Sequence, residues 1–426
     1  CLMDERRSTP FDPGRRRLLV GAGAAVATWA TGCSTTRNAS SSDPTLASHD
    51  DDPPPAPGPI TRGELLSRQR AAQQRLAAAE LSGLVVVATS DLTYFTGVRW
   101  GLSERLFAWV LPREGEPTFL CPAFEAMRAE ERVGQQARLL LWQEHEDPFA
   151  QLSALLPGKA PVAFDRRGPW TFARRTAEAV GRELQDSDVV VGPLRRRKSA
   201  HELALMTHAN AITRRAIRSA FARLEPGTKG SQLGAWVTEE QARLGGTRSW
   251  VLPLVGPAAA FPHGTAEEPP LRKGDCVLVD AGCQLHGYWS DLTRTIFYGE
   301  PPPDAAKAWS AVKRAQTAAF EQVRAGVLAG DVDRAARNAL AAAGYSGDYE
   351  HLTHRLGHGI GLDVHEDPYF VRGSEHALEP GNTLSDEPGI YVPGRFGIRQ
   401  EDIVVVTDGG ARWLSTPQTA PTLEGI

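Results

Sequence analysis

The sequence predicts a two-domain α/β protein behind an export-type leader, and three observations carry that prediction. A chain of 426 residues with 41% hydrophobic content is long enough for two cores, at about 150 residues per domain. From residue 60 to 193, short β-branched runs alternate with amphipathic helical stretches, as an α/β layer requires. Beyond residue 271 the apolar runs come in close pairs across short turns, which lays neighbouring strands side by side.

Residues 1–33 read as a secretory signal. Arg15, Arg16 and Arg17 precede the apolar run Leu18 to Ala30, which ends in Ala30-Thr31-Gly32-Cys33. A basic region, a short apolar region and small residues before the cut mark such signals. The paired arginines resemble a twin-arginine export signal, and Ala-Thr-Gly-Cys resembles a bacterial lipobox in which Cys33 takes a lipid. Residues 34–59, rich in Ser, Asp and Pro, bury too little apolar surface to fold and read as a disordered tether. The expectation is an exported protein, periplasmic or membrane-anchored as a bacterial lipoprotein through Cys33.

Residues 60–193 form the first folded domain. Arg62 to Glu80 is an amphipathic helix whose Leu65, Leu66, Arg68, Leu76 and Ala79 match one buried stripe. Leu84 to Ala88 is a buried strand, and Thr93 to Gly97 closes a βαβ-like unit. Strands follow at Phe107–Leu111, Pro117–Cys121, Leu139–Trp142 and Pro161–Phe164, with a helix from about Thr171 to Leu184. No G-x-G-x-x-G or P-loop appears, so nucleotide binding lacks support. His145 and the acids around it read as a solvated face. Residues 194–426 form the second domain, opened by a helix from Ser199 to about Leu224, with Glu202 completing a capping box.

Several functions are excluded. The formal charge is -4 with both signs interspersed, which lacks the basic footprint of a nucleic-acid binder. No apolar run reaches the roughly 18 residues of a spanning helix. Five cysteines show neither zinc-ribbon nor C-x-x-C spacing.

The second domain carries the chemistry. His351 to Glu366 reads HLTHRLGHGIGLDVHE. His354 and His358 would share a helix face as in zinc proteases, but Arg355 stands where their general base belongs. Glycines at 357, 359 and 361 would each cost a helix about 1 kcal/mol. The stretch is therefore read as extended chain presenting His354, His358 and His365, and neutral imidazoles want a metal, a proton or an anion. The strand Cys276 to Asp280 delivers Asp280, and a return strand from Tyr288 to Thr295 brings Asp291 beside it. Two buried aspartates repel unless a proton or a cation lies between them. Glu387 precedes a Pro-Gly turn, and alternation puts Arg399 and Glu401 on one face and Gln400 on the other. Asp280, Asp291, His358, Glu387 and Glu401 make an oxygen-rich set without thiolate, which suits Mn²⁺, Co²⁺ or Zn²⁺ in a two-metal hydrolytic site. Cys276 and Cys283 read as small buried residues.

Asp280-x10-Asp291, His358-Gly359-Ile360-Gly361, Glu387-Pro388-Gly389 and Arg399-x-Glu401-Asp402 together resemble the pita-bread metallopeptidases. Phe261-Pro262-His263-Gly264, His365-Glu366-x-Pro368 and Tyr94-Phe95-Thr96-Gly97 match as well, so the resemblance spans roughly residues 60–410. With an N-terminal domain present, the chain is similar to the Xaa-Pro branch, the prolidases and aminopeptidases P. The resemblance implies a creatinase-like N-terminal α/β domain and a pita-bread catalytic domain, a curved pseudo-symmetric antiparallel sheet flanked by helices. It also implies a homodimer and two divalent ions, Mn²⁺ first. Asp280 would bind one ion, His358 and Glu387 the other, with Asp291 and Glu401 bridging. Glu387 would take and return the proton of the water attacking the carbonyl before proline. His365 resembles the residue holding the scissile carbonyl or the free amino end. His263 and His354 would line the proline side, His354 also relaying a proton, while Tyr391 and Arg399 would support the ligands or meet the substrate's end. The implied substrate is a proline-containing peptide, a dipeptide before longer ones. An X-Pro amide has no N–H, so an apolar pocket can select it by fit.

Three positions depart from the family pattern: Asp386 and Gln400 replace aliphatic residues, and Asn382 a common methionine. Alternation turns Asp386 and Gln400 away from the ligands; an inward Asp386 would change the site's charge and its choice of metal. Two other readings exist on the same shape, a creatinase-like amidinohydrolase and a non-catalytic binding protein. Both work without the ligand set, which is complete here.

Overall fold

Gly83–Val87 (β1) is buried throughout, as a continuous apolar run must be at the centre of a sheet. The computed structural model describes residues 55–134 and 138–426; the export and lipidation readings of residues 1–33, and most of the 34–59 tether, fall outside them. Around β1 lie Ala108–Pro112 (β2), Thr118–Pro122 (β3), Arg138–Trp142 (β4), Val162–Phe164 (β5) and Leu184–Asp186 (β6), in the order β4-β3-β2-β1-β5-β6. Alternate side chains of β1 feed two cores. Leu84 and Val86 meet Ala72 and Leu76 of the first helix, and Val85 and Val87 meet Phe149, Leu152 and Phe172.

Three local expectations need correction. The helix Arg62–Ala78 buries Ala72 and Leu76, whereas Leu66 and Ala79 face solvent. Positions 65, 68, 72 and 76 follow the helical period and 66 falls off it; 79 keeps the period but is the C-cap, past the last helical residue. The segment after β1 is not part of a parallel crossover. The short helix Ser90–Thr96 ends at Gly97 in the left-handed region (φ 72), the chain turns back, and β2 runs antiparallel to β1. The parallel partner of β1 is β5. The later helix, Trp170–Val180, stops at left-handed Gly181, which leaves Leu184 to the edge strand β6.

The second half holds Thr247–Val255 (β7), Cys276–Leu285 (β8), Tyr288–Trp289 (β9) and Leu292–Phe297 (β10), ordered β10-β8-β7 with β9 on β8. It continues with Gly357–Gly359 (β11), Glu366–Phe370 (β12), Thr383–Asp386 (β13), Gly389–Val392 (β14), Phe396–Arg399 (β15), Asp402–Thr407 (β16) and Gly410–Trp413 (β17). These form a sheet β12-β11-β13-β16-β17 and a hairpin β14-β15. The helices Ala200–Phe221 and Gly230–Arg243 back the first group; Pro303–Gln322 and Ala329–Ala342 back the second. The result is antiparallel sheet flanked by helices, the pita-bread form.

The two groups of strands are stitched together where the site lies. Thr293 of β10 bridges Glu401, and fully buried Arg294 binds Asp402 at 2.6 Å and the Glu401 carbonyl at 2.7 Å. The glycines of β11 serve the same end. A Cβ at Gly357 would overlap the Ser385 carbonyl, and one at Gly359 the Glu366 carbonyl, so only glycine lets β11 press His358 between its neighbours. No helix among the described residues is long and apolar enough to cross a membrane.

Candidate active site

β8 presents Asp280, the turn before β10 Asp291, β11 His358, the turn after β13 Glu387, and the break between β15 and β16 Glu401. All five reach one cavity of about 560 Å³. Ligand atoms of buried Asp291, His358 and Glu401 lie within 4.8 Å of one another. His358 Nε2 is 3.3 Å from Glu387 Oε1 and 3.6 Å from Asp291 Oδ2. Its Nδ1 lies 3.1 Å from the Gly359 carbonyl, which can only accept, so Nδ1 carries the proton and Nε2 aims a lone pair at the acids. Burial holds this imidazole down to about 3, and it stays neutral.

A shell of donors fixes the carboxylates. The Thr293 hydroxyl donates to Glu401 Oε2 at 2.7 Å, and the Ser385 hydroxyl to Glu387 Oε1 at 3.1 Å. Arg399 donates to Asp280 Oδ2 at 2.7 Å, to the Thr293 hydroxyl at 3.1 Å and to the Tyr391 hydroxyl at 2.8 Å. His354 Nδ1 donates to the Arg355 carbonyl at 2.7 Å, so its Nε2 accepts from the Tyr391 hydroxyl at 2.9 Å.

The acids outnumber their cations. Burial raises Asp291 and Glu401 well above the carboxylate range, and repulsion from each other's neighbourhood, Asp280 and Glu387 included, adds to it. Burial lifts Glu387 to about 7 although Arg399 pulls it down. Among the described residues, Asp280 Oδ1 and Asp291 Oδ1 are buried with no hydrogen-bond partner. Orphaned carboxylate oxygens beside one neutral imidazole are a fitting seat for divalent cations.

The remaining wall is mixed. Trp250, Leu252, Pro262 and Val364 give it an apolar face, with His263, Arg355 and His365 among them. His263 sits exposed at the rim. The His365 ring packs edge-on against His358 with centroids 4.1 Å apart. Tyr391, expected to support the ligands or to meet the substrate's end, stands against Arg399. It is buried behind the wall and outside the cavity lining, because its hydroxyl is consumed by Arg399 and His354. His354 does line the cavity, but both ring nitrogens are engaged; its Nδ1–H lies 3.9 Å from Glu387 Oε2.

The loop carrying His365 has supports that the sequence reading missed. Burial would raise Glu366, yet Lys198 at 2.6 Å and Arg195 at 2.5 Å outweigh it and hold the carboxyl at about 2. Asp363 accepts from the Ser90 hydroxyl at 2.7 Å and from Arg195 at 3.0 Å, and pairs with Arg167 at 3.0 Å. The first domain and its connector thus clamp residues 363–366. No local signal joins Lys198 to an acid so distant in sequence.

The departures also find places. Asp386 is fully buried outside the cavity lining, and Gln400 donates to the Trp309 carbonyl at 3.2 Å. Asn382 receives the Glu379 amide at 2.9 Å and donates to the Arg196 carbonyl at 3.1 Å. Cys276 and Cys283 are buried, and burial pushes the Cys276 thiol up to about 12.

The profile of Metallopeptidase family M24 matches residues 204–408, and that of the Creatinase/Prolidase N-terminal domain matches residues 68–196. A Mycobacterium tuberculosis protein named "Probable dipeptidase PepE" is 40% identical over 341 residues, covering 79% of this chain and 90% of its own length. The chain belongs to metallopeptidase family M24. Among solved structures, dipeptidase PepE from Mycobacterium ulcerans matches with a TM-score of 0.80 and 38% identity, over 84% of this chain and 97% of that one. The prolidase from Thermococcus sibiricus matches with a TM-score of 0.76 and 29% identity, over 84% and 98%. In an M24 metallopeptidase the five ligand candidates, the orphaned oxygens and the neutral imidazole belong together.

Proposed function

We propose that this M24 member is a dinuclear Xaa-Pro peptidase that prefers free dipeptides and works with Mn²⁺, with Co²⁺ and Zn²⁺ as substitutes. The observation that carries the reading is the cavity's mixed lining. The acid-rich group shares it with the apolar side chains of Trp250, Leu252, Pro262 and Val364. A tertiary X-Pro amide brings no N–H that such side chains would leave unpaired. The relatives named dipeptidase and prolidase support the same substrate class.

Asp280, Asp291, His358, Glu387 and Glu401 would hold the ions, with Asp291 and Glu401 shared. Divalent ions supply Lewis acidity and bring the pKa of water toward 7. Glu387, raised by burial and anchored through Oε1 by Ser385, keeps Oε2 to accept a proton and return it to the leaving amine. His365, packed on His358, faces the substrate's carbonyl or amino end. His354 and His263 flank the proline ring. Arg399 and Tyr391 hold Asp280 and His354 in register.

The test is hydrolysis of Ala-Pro against Ala-Pro-Ala by protein stripped of metal and refilled with Mn²⁺. Preferential cleavage of Ala-Pro is the expected result. Preference for the tripeptide would make the enzyme an aminopeptidase P, and inactivity on both with metal bound would overturn the substrate class.

Outside the described residues, we infer export through the Arg15–Arg17 signal and a lipid on Cys33. Mass spectrometry of the mature chain from its native host should show acylated Cys33 at its start; an unmodified terminus rules that out. Export that persists without the twin-arginine translocase removes the first half. The proposed assembly is a homodimer, which sedimentation equilibrium checks.

A further inference from the structure

Residues 343–356 belong to neither helix nor strand, yet they carry His354 to the cavity and lead directly into β11. A stretch without regular structure has to find partners for its backbone groups elsewhere. Here they come from one ion pair on the helix Ala329–Ala342. Asp333 and Arg337 are both buried and stand outside the cavity lining. Arg337 Nε donates to Asp333 Oδ2 at 2.8 Å. Its Nη1 donates to the carbonyls of Asp348 at 3.4 Å and Leu352 at 3.1 Å, and its Nη2 to the His354 carbonyl at 2.8 Å. Asp333 Oδ1 receives the Leu356 amide at 3.2 Å.

From there the pair reaches two reacting groups. His354, held by its carbonyl, sets its ring by donating to the next carbonyl, that of Arg355. Leu356, held by its amide, accepts the Glu387 amide on its own carbonyl at 2.9 Å. One ion pair thus fixes the backbone under both His354 and Glu387. A buried ion pair is a weak source of stability, but a planar guanidinium engaged on every side is a strong source of geometry. The same loop has an outer clasp, the exposed pair of Arg372 and Asp348 at 2.6 Å. It holds only residues 347 and 348, and in solvent such a pair contributes little. We infer that Asp333 and Arg337 are positioning residues that set the register of Glu387 and His354 from outside the cavity. The inference rests on the roles proposed above for those two groups.

The experiment compares wild type, Arg337→Lys and Arg372→Gln by three readouts: calorimetric titration of metal-stripped protein with Mn²⁺, kcat and KM on Ala-Pro at saturating Mn²⁺, and melting temperature. A lysine keeps the charge but cannot span an acid and three carbonyls. Arg337→Lys should weaken the binding of one Mn²⁺ by about 10–100-fold, as loss of a ligand's support does. It should lower kcat by about 10–100-fold, in the range that a misplacement of about 1 Å costs, and leave KM nearly unchanged. Arg372→Gln should alter none of these. A lowered melting temperature in Arg337→Lys with wild-type Mn²⁺ binding and kcat would make the pair merely structural and overturn the assignment. Equal losses in Arg372→Gln would overturn it as well. Should Arg337→Lys fail to fold, Asp333→Asn carries the test, because it keeps an acceptor for the Leu356 amide and loses the charge that orients the guanidinium. The same split then upholds the assignment, and wild-type values sink it. If wild type binds Mn²⁺ but leaves Ala-Pro intact, the Xaa-Pro reading fails by itself, and the Mn²⁺ titration still decides the positioning role.

Discussion

Buried carboxylates stand on both sides of His365, and they are handled in opposite ways. Glu366 is buried, yet Lys198 and Arg195 close on it and hold its pKa at about 2. Beside it, Asp280, Asp291, Glu387 and Glu401 share a single engaged guanidinium, and Asp291 and Glu401 are raised well above the usual range, first by burial and then by one another. Burial is common to both groups. What differs is whether the chain supplies its own cations. The first group is finished by the protein and locks two domains around His365; the second stays unfinished until ions from solution complete it.

The sharpest way to break that comparison is Glu387→Gln. In the Mn²⁺-loaded enzyme kcat should fall by about 10²–10⁴-fold, the usual cost of losing a general acid–base, while the melting temperature of the metal-free protein holds or rises as one repelling charge disappears. A metal-free protein destabilised by this change would show that Glu387 is structurally compensated after all. Glu366→Gln should do the reverse. It leaves buried Lys198 without an acid and should cost about 3–5 kcal/mol in denaturant unfolding. A loss below that range would mean water already relaxes the clamp.

The two groups should also give stability opposite slopes with pH. Glu366 titrates at about 2 when folded, against about 4.3 when unfolded. Its contribution is therefore full above the unfolded value and is lost as pH falls toward 2. Asp291, Glu387 and Glu401 are raised, Glu387 to about 7, so the metal-free folded chain keeps protons that the unfolded chain has released. Its stability should fall as pH rises from about 4 to 7. Calorimetry across pH should show that descent in chelated protein and its absence in metal-loaded protein, while Glu366→Gln should flatten the acid limb alone. A chelated protein with no descent would mean that Asp291, Glu387 and Glu401 are not raised.

The donor set was legible because metal chemistry restricts residue type: oxygen and nitrogen donors on adjacent antiparallel strands are visible as Asp280, Asp291 and Glu401 with alternating apolar neighbours. The strands themselves announced their places by β-branching, as in Leu84–Val87. Depth was not legible. Alternation assigns Tyr391 a face but cannot say that Arg399 and His354 would take up its hydroxyl behind the wall. Nor does period or spacing join Arg195 and Lys198 to Glu366, since that clamp exists only once two domains have packed. Direction of pairing was equally hidden, because β1 looks the same whether its next partner runs parallel or antiparallel.

A third buried acid tests which side of the comparison it belongs to. Among the described residues neither carboxylate oxygen of Asp386 finds a hydrogen bond; burial, and then Asp402, raise it well above its ordinary range while Lys313 pulls it down. It has neither the pair of cations that closes on Glu366 nor a place on the cavity wall. An unsatisfied buried polar group costs about 1–3 kcal/mol, so Asp386→Val, which suits a strand position, should stabilise the protein by about that amount in denaturant unfolding. Metal content and kcat/KM should stay close to wild type, since Asp386 lies outside the cavity lining and interacts chiefly with Asp402 and with Lys313 of the helix Pro303–Gln322. Should the valine variant instead lose an ion or change its preference among Mn²⁺, Co²⁺ and Zn²⁺, Asp386 acts on the site through adjacent Glu387. The unfinished group would then extend one layer deeper than the cavity wall.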